Sequence, residues 1–187
     1  MIKFKIFKKC QSQLPDTKKK HERLNFMKNS NTKNVVISAM IACLYVALTQ
    51  IPALSALSYG PVQFRIAEAL CALPILTPWS IAGLSVGCFI SNLFSPMVFD
   101  IFFGTAATLI GAVLTYLLRK HKLVALLMPA ISNGLIVGFE LSLFWAESEF
   151  SAMLFITNAV TVAIGEIAVC YLLGLPLIKA FEKYKIL

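Results

Sequence analysis

Charged residues are scarce in this sequence. Only 14% of the 187 residues are Asp, Glu, Lys or Arg, whereas soluble domains average roughly 25%. Hydrophobic residues make up 58% of the chain, which excludes an ordinary soluble domain and predicts a membrane protein. The length allows about six spans of roughly 20 residues each with short loops. We therefore expect one membrane domain over residues 34–187.

Motifs for catalysis and for nucleotide hydrolysis are also missing. The sequence contains no HExxH, GxSxG or GxxxxGK[ST] pattern, and its two histidines lie in basic segments. The five cysteines form no CxxC pair, and four of them lie in apolar runs, where thiols act as small fillers. We expect a chain that is not an enzyme, with no metal, no disulfide and no cofactor of its own.

The net positive charge is confined to the N-terminal segment. Residues 1–33 contain ten Lys/Arg and two acidic residues, a net charge of +8, and the rest of the chain has seven of each sign. Such an excess beside the first span predicts a cytoplasmic tail, mostly disordered and lying on anionic lipid. No recognisable fold presents these charges to nucleic acid. Met27 is an alternative start, which leaves the translation of residues 1–26 open.

Six apolar segments follow the tail and predict an all-α bundle of six transmembrane helices. The second segment is short, because Arg65 and Thr77 closely flank its apolar run. Six crossings from a cytoplasmic start place both termini and the basic loop Arg119–Lys122 inside the cell. The segments are Val35–Ile51, Ile66–Leu76, Trp79–Phe94, Val98–Leu118, Leu123–Trp145 and Ala152–Ile178.

Polar residues within the spans are the candidate site, since each charge near the bilayer centre costs roughly 2.5 to 3.5 kcal/mol. Arg65 and Glu68 can pair on one helical face, but Glu140 and Glu166 have no basic residue in their own spans. Most of these groups fall in the outer half, which favours a ligand cavity open to the outside. The candidates for substrate binding are Tyr59, Arg65, Glu68, Asn92, Asp100, Asn133, Glu140, Trp145, Asn158 and Glu166.

The residue types suggest the ligand. A carboxylate accepts two adjacent N–H groups, an Asn amide both donates and accepts, and aromatic rings offer flat faces. A planar, N–H-rich heterocycle fits this set, and a cation would be tolerated. We expect Glu140 on the N–H edge, Asn133 and Asn158 on a ring carbonyl or nitrogen, and Tyr59 or Trp145 against the ring. Each Asn is equally well explained by a hydrogen bond between helices.

Small residues four apart mark the first helix. Ala39, Cys43 and Ala47 form one stripe, and Ser38 with Ala42 form a second beside it. Such spacing lets helices approach closely, either within the bundle or against another membrane subunit. Composition does not choose between these two uses.

Five ordered motifs carry a family resemblance over about residues 34–183. They are IACLYVALT (41–49), SYGPVQFRIAEALCALP (58–74), GCFISNLFSP (87–96), NGLIVGFELSL (133–143) and GEIAVCYLLGLPL (165–177). Together they resemble the queuosine-precursor transporter family (QueT), whose members are substrate-binding S components of energy-coupling factor (ECF) transporters. Ala67 stands where serine is associated with the family, which puts one hydrogen bond in doubt.

The resemblance implies a multi-pass protein of the cell membrane that captures a 7-deazaguanine from outside, in its cyano or aminomethyl form or as queuine. Uptake would then need a transmembrane coupling protein and two ATPase subunits that use ATP. In S components an AxxxA pattern on the first helix contacts the coupling protein, so Ala39, Cys43 and Ala47 are expected there, with Ser38 and Ala42 as the competing register. The resemblance assigns no individual ligand residue. From their chemistry we expect Glu166 to bind an aminomethyl ammonium or to support Arg65, and Arg65 with Glu68 to shape the outer gate.

Other functions stay open at this point. A stand-alone secondary permease would take up its substrate with an ion gradient and without partners. An S component for another vitamin-like heterocycle is compatible with the same fold. An assembly subunit without a ligand would leave the buried carboxylates unexplained.

Overall fold

The computed structural model describes residues 16–51, 65–144 and 151–184, with side chains from residue 31 onward. No strand occurs in these ranges, which confirms the all-α prediction. The chain divides into two compact units, Met1–Val36 and Ile37–Leu187, and the packing described below lies within the second. Its elements are the helices α1 (Asp16–Gln50), α2 (Trp79–Asn92), α3 (Phe103–Leu117), α4 (Lys122–Ala125), α5 (Met128–Phe144), α6 (Ala152–Val169) and α7 (Leu175–Tyr184), two 3₁₀ helices at Ile66–Ile75 and Val98–Ile101, and a π-helical turn at Cys170–Gly174.

Four apolar helical segments are long enough to cross a membrane. Within the described residues they run over Asn31–Gln50, Val98–Leu117, Lys122–Leu143 and Ala152–Tyr184. These segments make the chain a multi-pass membrane protein. Helix α2 has 14 residues, about 21 Å at 1.5 Å per residue, against a hydrocarbon core of roughly 30 Å. The count of six crossings and the cytoplasmic location of both termini stay predictions.

The N-terminal tail is only partly described. Helix α1 begins at Asp16, inside the segment assigned to the tail from its charge. Residues 1–15 lie outside the described part of the chain. The boundary of the tail at residue 33 and its contact with lipid therefore remain predictions.

The predicted short second segment is a 3₁₀ helix at the centre of the second unit. Ile66–Ile75 buries nine of its ten residues and packs against the helices around it. Three residues per turn place positions three apart on one face, so Glu68 and Cys71 lie together. Pro74, which lacks a backbone N–H, sits near the end of this helix.

Glycines allow close contacts between helices. A Cβ on Gly87 of α2 would lie 2.8 Å from Tyr45 Cβ of α1. A Cβ on Gly138 of α5 would lie 2.7 Å from Ala159 Cα of α6. Both distances are shorter than real Cβ contacts, so these pairs of helices can approach this closely only where glycine stands. Gly87 and Gly138 therefore serve packing within this chain.

Candidate substrate site

Seven of the predicted site residues fall into two clusters in the structure. The other three are Asn158, Tyr59 and Trp145. The Arg65 cluster contains Arg65, Asn92, Asp100 and Glu140, and the Glu68 cluster contains Glu68, Asn133 and Glu166. Asn158 belongs to neither, and its Nδ2 is buried without a hydrogen-bond partner among the described residues. Tyr59 and Trp145 lie outside the described residues.

Arg65 forms an ion pair that the sequence did not indicate. Its Nη2 lies 3.6 Å from Oδ2 of Asp100, and the two side chains are 6% and 0% exposed. Asp100 belongs to the 3₁₀ turn at Val98–Ile101, and Arg65 directly precedes the longer 3₁₀ helix. Glu68, the partner suggested by spacing, still acts on Arg65 electrostatically. The guanidinium thus joins two segments that are far apart in sequence.

Asn92 positions Asp100. Its Nδ2 donates to the backbone carbonyl of Asp100 at 2.8 Å, and Gly104 leaves the room, since a Cβ there would lie 2.7 Å from the same nitrogen. Ser95 donates its hydroxyl to Asp100 Oδ2. Oδ1 of Asp100 has no hydrogen-bond partner among the described residues. Ser95 and Arg65 therefore hold one carboxylate oxygen, and the Asp100 side chain also neighbours that of Glu140.

Glu140 is buried beside another acid. It lies on α5 with 2% exposure, and no N–H or hydroxyl donor of the described residues reaches Oε1 or Oε2. Its side chain neighbours that of Asp100, so the two carboxyl groups can share one proton, and Arg65 is the nearby cation. A buried polar group without partners is costly and calls for an explanation. A bound ligand that donates two N–H groups would supply one.

A cavity of about 290 Å³ lies against Glu140. It is lined by Phe99, Phe103, Glu140 and Leu143. Phe99 and Leu143 are exposed, whereas the Glu140 oxygens are inaccessible, so the cavity opens at the surface of the described part and its wall is almost entirely apolar. Small-molecule pockets have volumes of roughly 300 to 1,000 Å³, which makes this one suitable for a small ligand such as a single heterocycle.

The Glu68 cluster is internally satisfied. Glu68 accepts hydrogen bonds from the Tyr45 hydroxyl and, at 2.8 Å, from Cys71 Sγ. Glu166 accepts one from Asn133 Nδ2, which confirms that the polar faces of α5 and α6 meet. Cys170 Sγ lies 3.9 Å from Glu166 Oε2 and 3.7 Å from the Glu68 carbonyl oxygen. These carboxylates already have neutral donors, unlike Glu140.

Three cysteines are buried in the hydrophobic clusters, as expected for small fillers, and each of them also makes a polar contact. Cys71 and Cys170 donate to the buried acids of the Glu68 cluster, and Cys88 Sγ lies 3.2 Å from Thr108 Oγ1. The reason is that a thiol is the small donor available beside a carboxylate in a tightly packed interior. Cys43 is exposed. No group of three His, Cys, Asp or Glu in the described ranges is arranged to hold a metal ion.

Sequence reasoning missed several residues of these clusters. Tyr45 was counted within an apolar span, although a phenol buried in such a span usually needs a partner. Phe99 and Phe103 were also missed. Their signal is their spacing of one helical turn beside Asp100, but an aromatic pair in an apolar run more often packs against lipid or core.

This chain is similar to known transporters. The family profile described as QueT transporter matches residues 35–183. A curated relative, the queuosine precursor transporter QueT of Lactococcus lactis subsp. cremoris (strain MG1363), is 43% identical over 84 residues, which are 45% of this chain and 50% of the relative. The aligned part thus spans half the length of that protein, and no solved structure matches. Since the profile covers most of the chain, the protein belongs to the QueT transporter family, a family of transporters and not of enzymes.

Proposed function

We propose that this chain is the substrate-capture S component of an ECF importer and binds a queuosine precursor from outside the cell. The observation that carries the proposal is the buried carboxyl group of Glu140, which lies beside Asp100 and Arg65 and lines a cavity of about 290 Å³. A 7-deazaguanine presents adjacent N–H groups on a flat ring, which match a carboxylate in number and geometry. The name of the Lactococcus relative supports the same class of substrate.

The contacts refine the roles of the candidate residues. Glu140 accepts hydrogen bonds from the N–H edge of the base. Phe99 and Phe103 pack against the ring, in addition to the contact expected from Tyr59 or Trp145. Asn158, whose buried Nδ2 has no partner, donates to a ring oxygen or nitrogen. Asn133 donates to Glu166, so its role is to hold that carboxylate.

The proposed topology has six crossings with both termini in the cytoplasm. The basic tail, the loop at Arg119–Lys122 and the C-terminal lysines then all face inward, in agreement with the bias of Lys and Arg toward the cytoplasm. In this orientation Glu140 lies in the outer half of the membrane, near the side from which the substrate arrives. The absence of a P-loop sequence fits a chain whose transport is driven by ATP on two partner ATPases.

Helix α1 supplies the proposed contact with the coupling protein. Ala39, Cys43 and Ala47 are exposed. The competing register is packed against α2, because Ala42 is 7% exposed and Ser38 donates its hydroxyl to the Trp79 carbonyl at 2.7 Å. The exposed stripe leaves a shallow path of small side chains along which another helix can approach closely.

Substitution of Ala39 and Ala47 by leucine is expected to prevent assembly with the coupling protein, since the larger side chains hold the partner helix away. Ligand binding by the isolated chain should be unchanged. Copurification from cells that coexpress the four subunits measures this. The matched control is Ala106→Leu, at an exposed alanine of α3. Full assembly of the double variant would show that the partner uses another face.

The proposed function as a whole is tested by equilibrium binding of the detergent-purified chain to 7-deazaguanines, guanine, riboflavin, thiamine and biotin. We expect tight binding confined to the deazaguanines, and ATP-dependent uptake only when the coupling protein and both ATPases are coexpressed. Binding of another vitamin alone would reassign the substrate. Uptake driven by an ion gradient without partners would establish the permease instead. A folded chain that binds none of the panel would contradict the proposal.

A further inference from the structure

A second cavity, of about 500 Å³, lies between α2 and α3. Its wall is almost wholly apolar and includes Trp79, Ala82, Ser85 and Val86 of α2 and Leu109 of α3. The Ser85 hydroxyl donates to a carbonyl of its own helix at 2.9 Å, so it offers no free donor. Trp79, Val86 and Leu109 are exposed. The cavity is therefore an apolar groove that is open to the surface of the described part of the chain.

The packing of α2 on α3 shows what lies at the Trp79 end of this groove. Cys88 Sγ of α2 lies 3.2 Å from Thr108 Oγ1 of α3, and a Cβ on Gly104 of α3 would lie 2.7 Å from Asn92 Nδ2 of α2. The two helices thus run antiparallel, and four residues along one match four residues back along the other. Continued over the nine residues from Cys88 to Trp79, this register places the start of α2 level with the end of α3. The basic loop that follows α3 therefore lies at the Trp79 end.

Arg119 is the first basic residue of that loop. Its guanidinium lies 4.2 Å from the centroid of the Tyr116 ring, and this cation–π contact holds the exposed side chain against the end of α3. Leu109 and Tyr116 are seven residues apart, so they lie on one face of the helix. Trp79 stands at the same end, and tryptophan is enriched where membrane meets water. The groove thus leads from apolar side chains to a positive charge at the level of the lipid head groups.

We propose that this groove binds an acyl chain of an anionic phospholipid, whose phosphate pairs with Arg119. An apolar groove that ends at a guanidinium matches a molecule that joins an apolar chain to a phosphate. A transmembrane helix of another protein matches it poorly, because close helix approach needs a row of small residues, and only Ala82 and Ser85 of the lining are small. The inference does not rest on the substrate, since neither cluster of the candidate site lines this groove.

Tryptophan fluorescence tests the proposal, because bromine on an acyl chain quenches an indole that it contacts. Trp79 and Trp145 are the two tryptophans of the chain, so the full chain with Trp145→Phe reports on Trp79 alone. This protein is reconstituted into phosphatidylcholine vesicles with increasing fractions of brominated phosphatidylglycerol or of brominated phosphatidylcholine. We expect the phosphatidylglycerol to reach half-quenching at an about fivefold lower fraction, which is the gain that one basic residue gives beside an anionic lipid.

Variants of basic residues assign the preference to Arg119. Arg119→Gln, in the Trp145→Phe chain, removes the charge and should bring the two lipids to within about twofold of each other. Lys183→Gln is the matched control and should keep the full difference. Lys183 is exposed and also stands beside a tyrosine ring. It belongs to the same end of the protein, since its neighbour Glu182 pairs with Lys122 at 2.6 Å.

A second pair of variants tests the groove itself. Ala82→Leu places a larger side chain in the groove at an exposed alanine, so the acyl chain is displaced and the preference for phosphatidylglycerol should disappear. Ala106→Leu makes the same change at an exposed alanine of α3 that does not line the groove, and it should keep the preference.

Three results would overturn the inference. The first is equal quenching by the two brominated lipids in the Trp145→Phe chain, and the second is a difference that survives Arg119→Gln or Ala82→Leu. The third is no quenching by either lipid, which would show that protein, such as a second copy of this chain, covers the groove. Each of these results leaves the binding of deazaguanines untouched. A chain that binds no deazaguanine but keeps the lipid preference would contradict the proposed function alone.

Discussion

Replacement of Glu140 by alanine is expected to weaken binding of a 7-deazaguanine by on the order of a hundredfold, since loss of one partner from a buried charged hydrogen bond costs about 2 to 5 kcal/mol. The ligand would lose the acceptor for its N–H edge. Calorimetric titration of the purified variant measures the loss.

Stability distinguishes this role from a structural one. No N–H or hydroxyl donor of the described residues reaches the Glu140 oxygens, so the empty protein gains little from this side chain beyond its interactions with Asp100 and Arg65. Removal should leave the thermal unfolding midpoint of the ligand-free protein unchanged or raise it, because an unsatisfied buried group costs about 1 to 3 kcal/mol. Glu182→Ala, at an exposed acid, is the control for both measurements. Unchanged affinity, or a lower midpoint with binding retained, would refute the ligand role of Glu140.

Replacement of Arg65 by glutamine is expected to destabilise the folded protein by about 3 kcal/mol, because removal of one partner from a buried ion pair strands the other charge. Asp100 would retain Ser95 as a donor but lose the guanidinium at 3.6 Å. Glu140 would lose its nearby cation as well. Unfolding in detergent, followed by circular dichroism, measures the loss of stability.

A double-mutant cycle measures the interaction energy between Arg65 and Asp100. The change Asp100→Asn, made together with Arg65→Gln, removes both charges and should recover part of the stability, because the stranded carboxylate is gone. Lys122→Gln is the matched control, since it breaks an exposed pair, Lys122 with Glu182 at 2.6 Å. Such pairs contribute about 0 to 1 kcal/mol. A small effect of Arg65→Gln, or strictly additive effects in the cycle, would contradict the importance of this ion pair.

Residue identity was enough to predict the apolar helical segments and to locate most of the buried polar side chains. Long apolar runs can satisfy their backbone in lipid only as helices, so α1, α5 and α6 followed from hydropathy. The short run at Ile66–Ile75 was recognised because flanking polar residues limit its length. Its 3₁₀ form was not, since it arises from burial on all sides by other helices.

The partners of the buried acids could not be predicted from local sequence patterns. Spacing suggested Glu68 for Arg65, but the ion pair in the structure is with Asp100, which lies 35 positions along the chain. Spacing gave no indication that Tyr45 on α1 would reach Glu68. Both contacts depend on how separate helices pack, which no local pattern of the sequence contains.

From residue identity and hydropathy, which are local properties, it follows that the chain is helical, that it belongs in a membrane, and that Glu140 and Glu166 lack basic partners in their own spans. The packing of the helices fixes the partners of each acid. It pairs Glu166 with Asn133 and Glu68 with Tyr45, and it places Glu140 beside Asp100 and Arg65 at a cavity. Hydrogen-bond donors reach a carboxylate only through the packing of distant segments, so the difference between a structural acid and a ligand-binding one is a property of the fold.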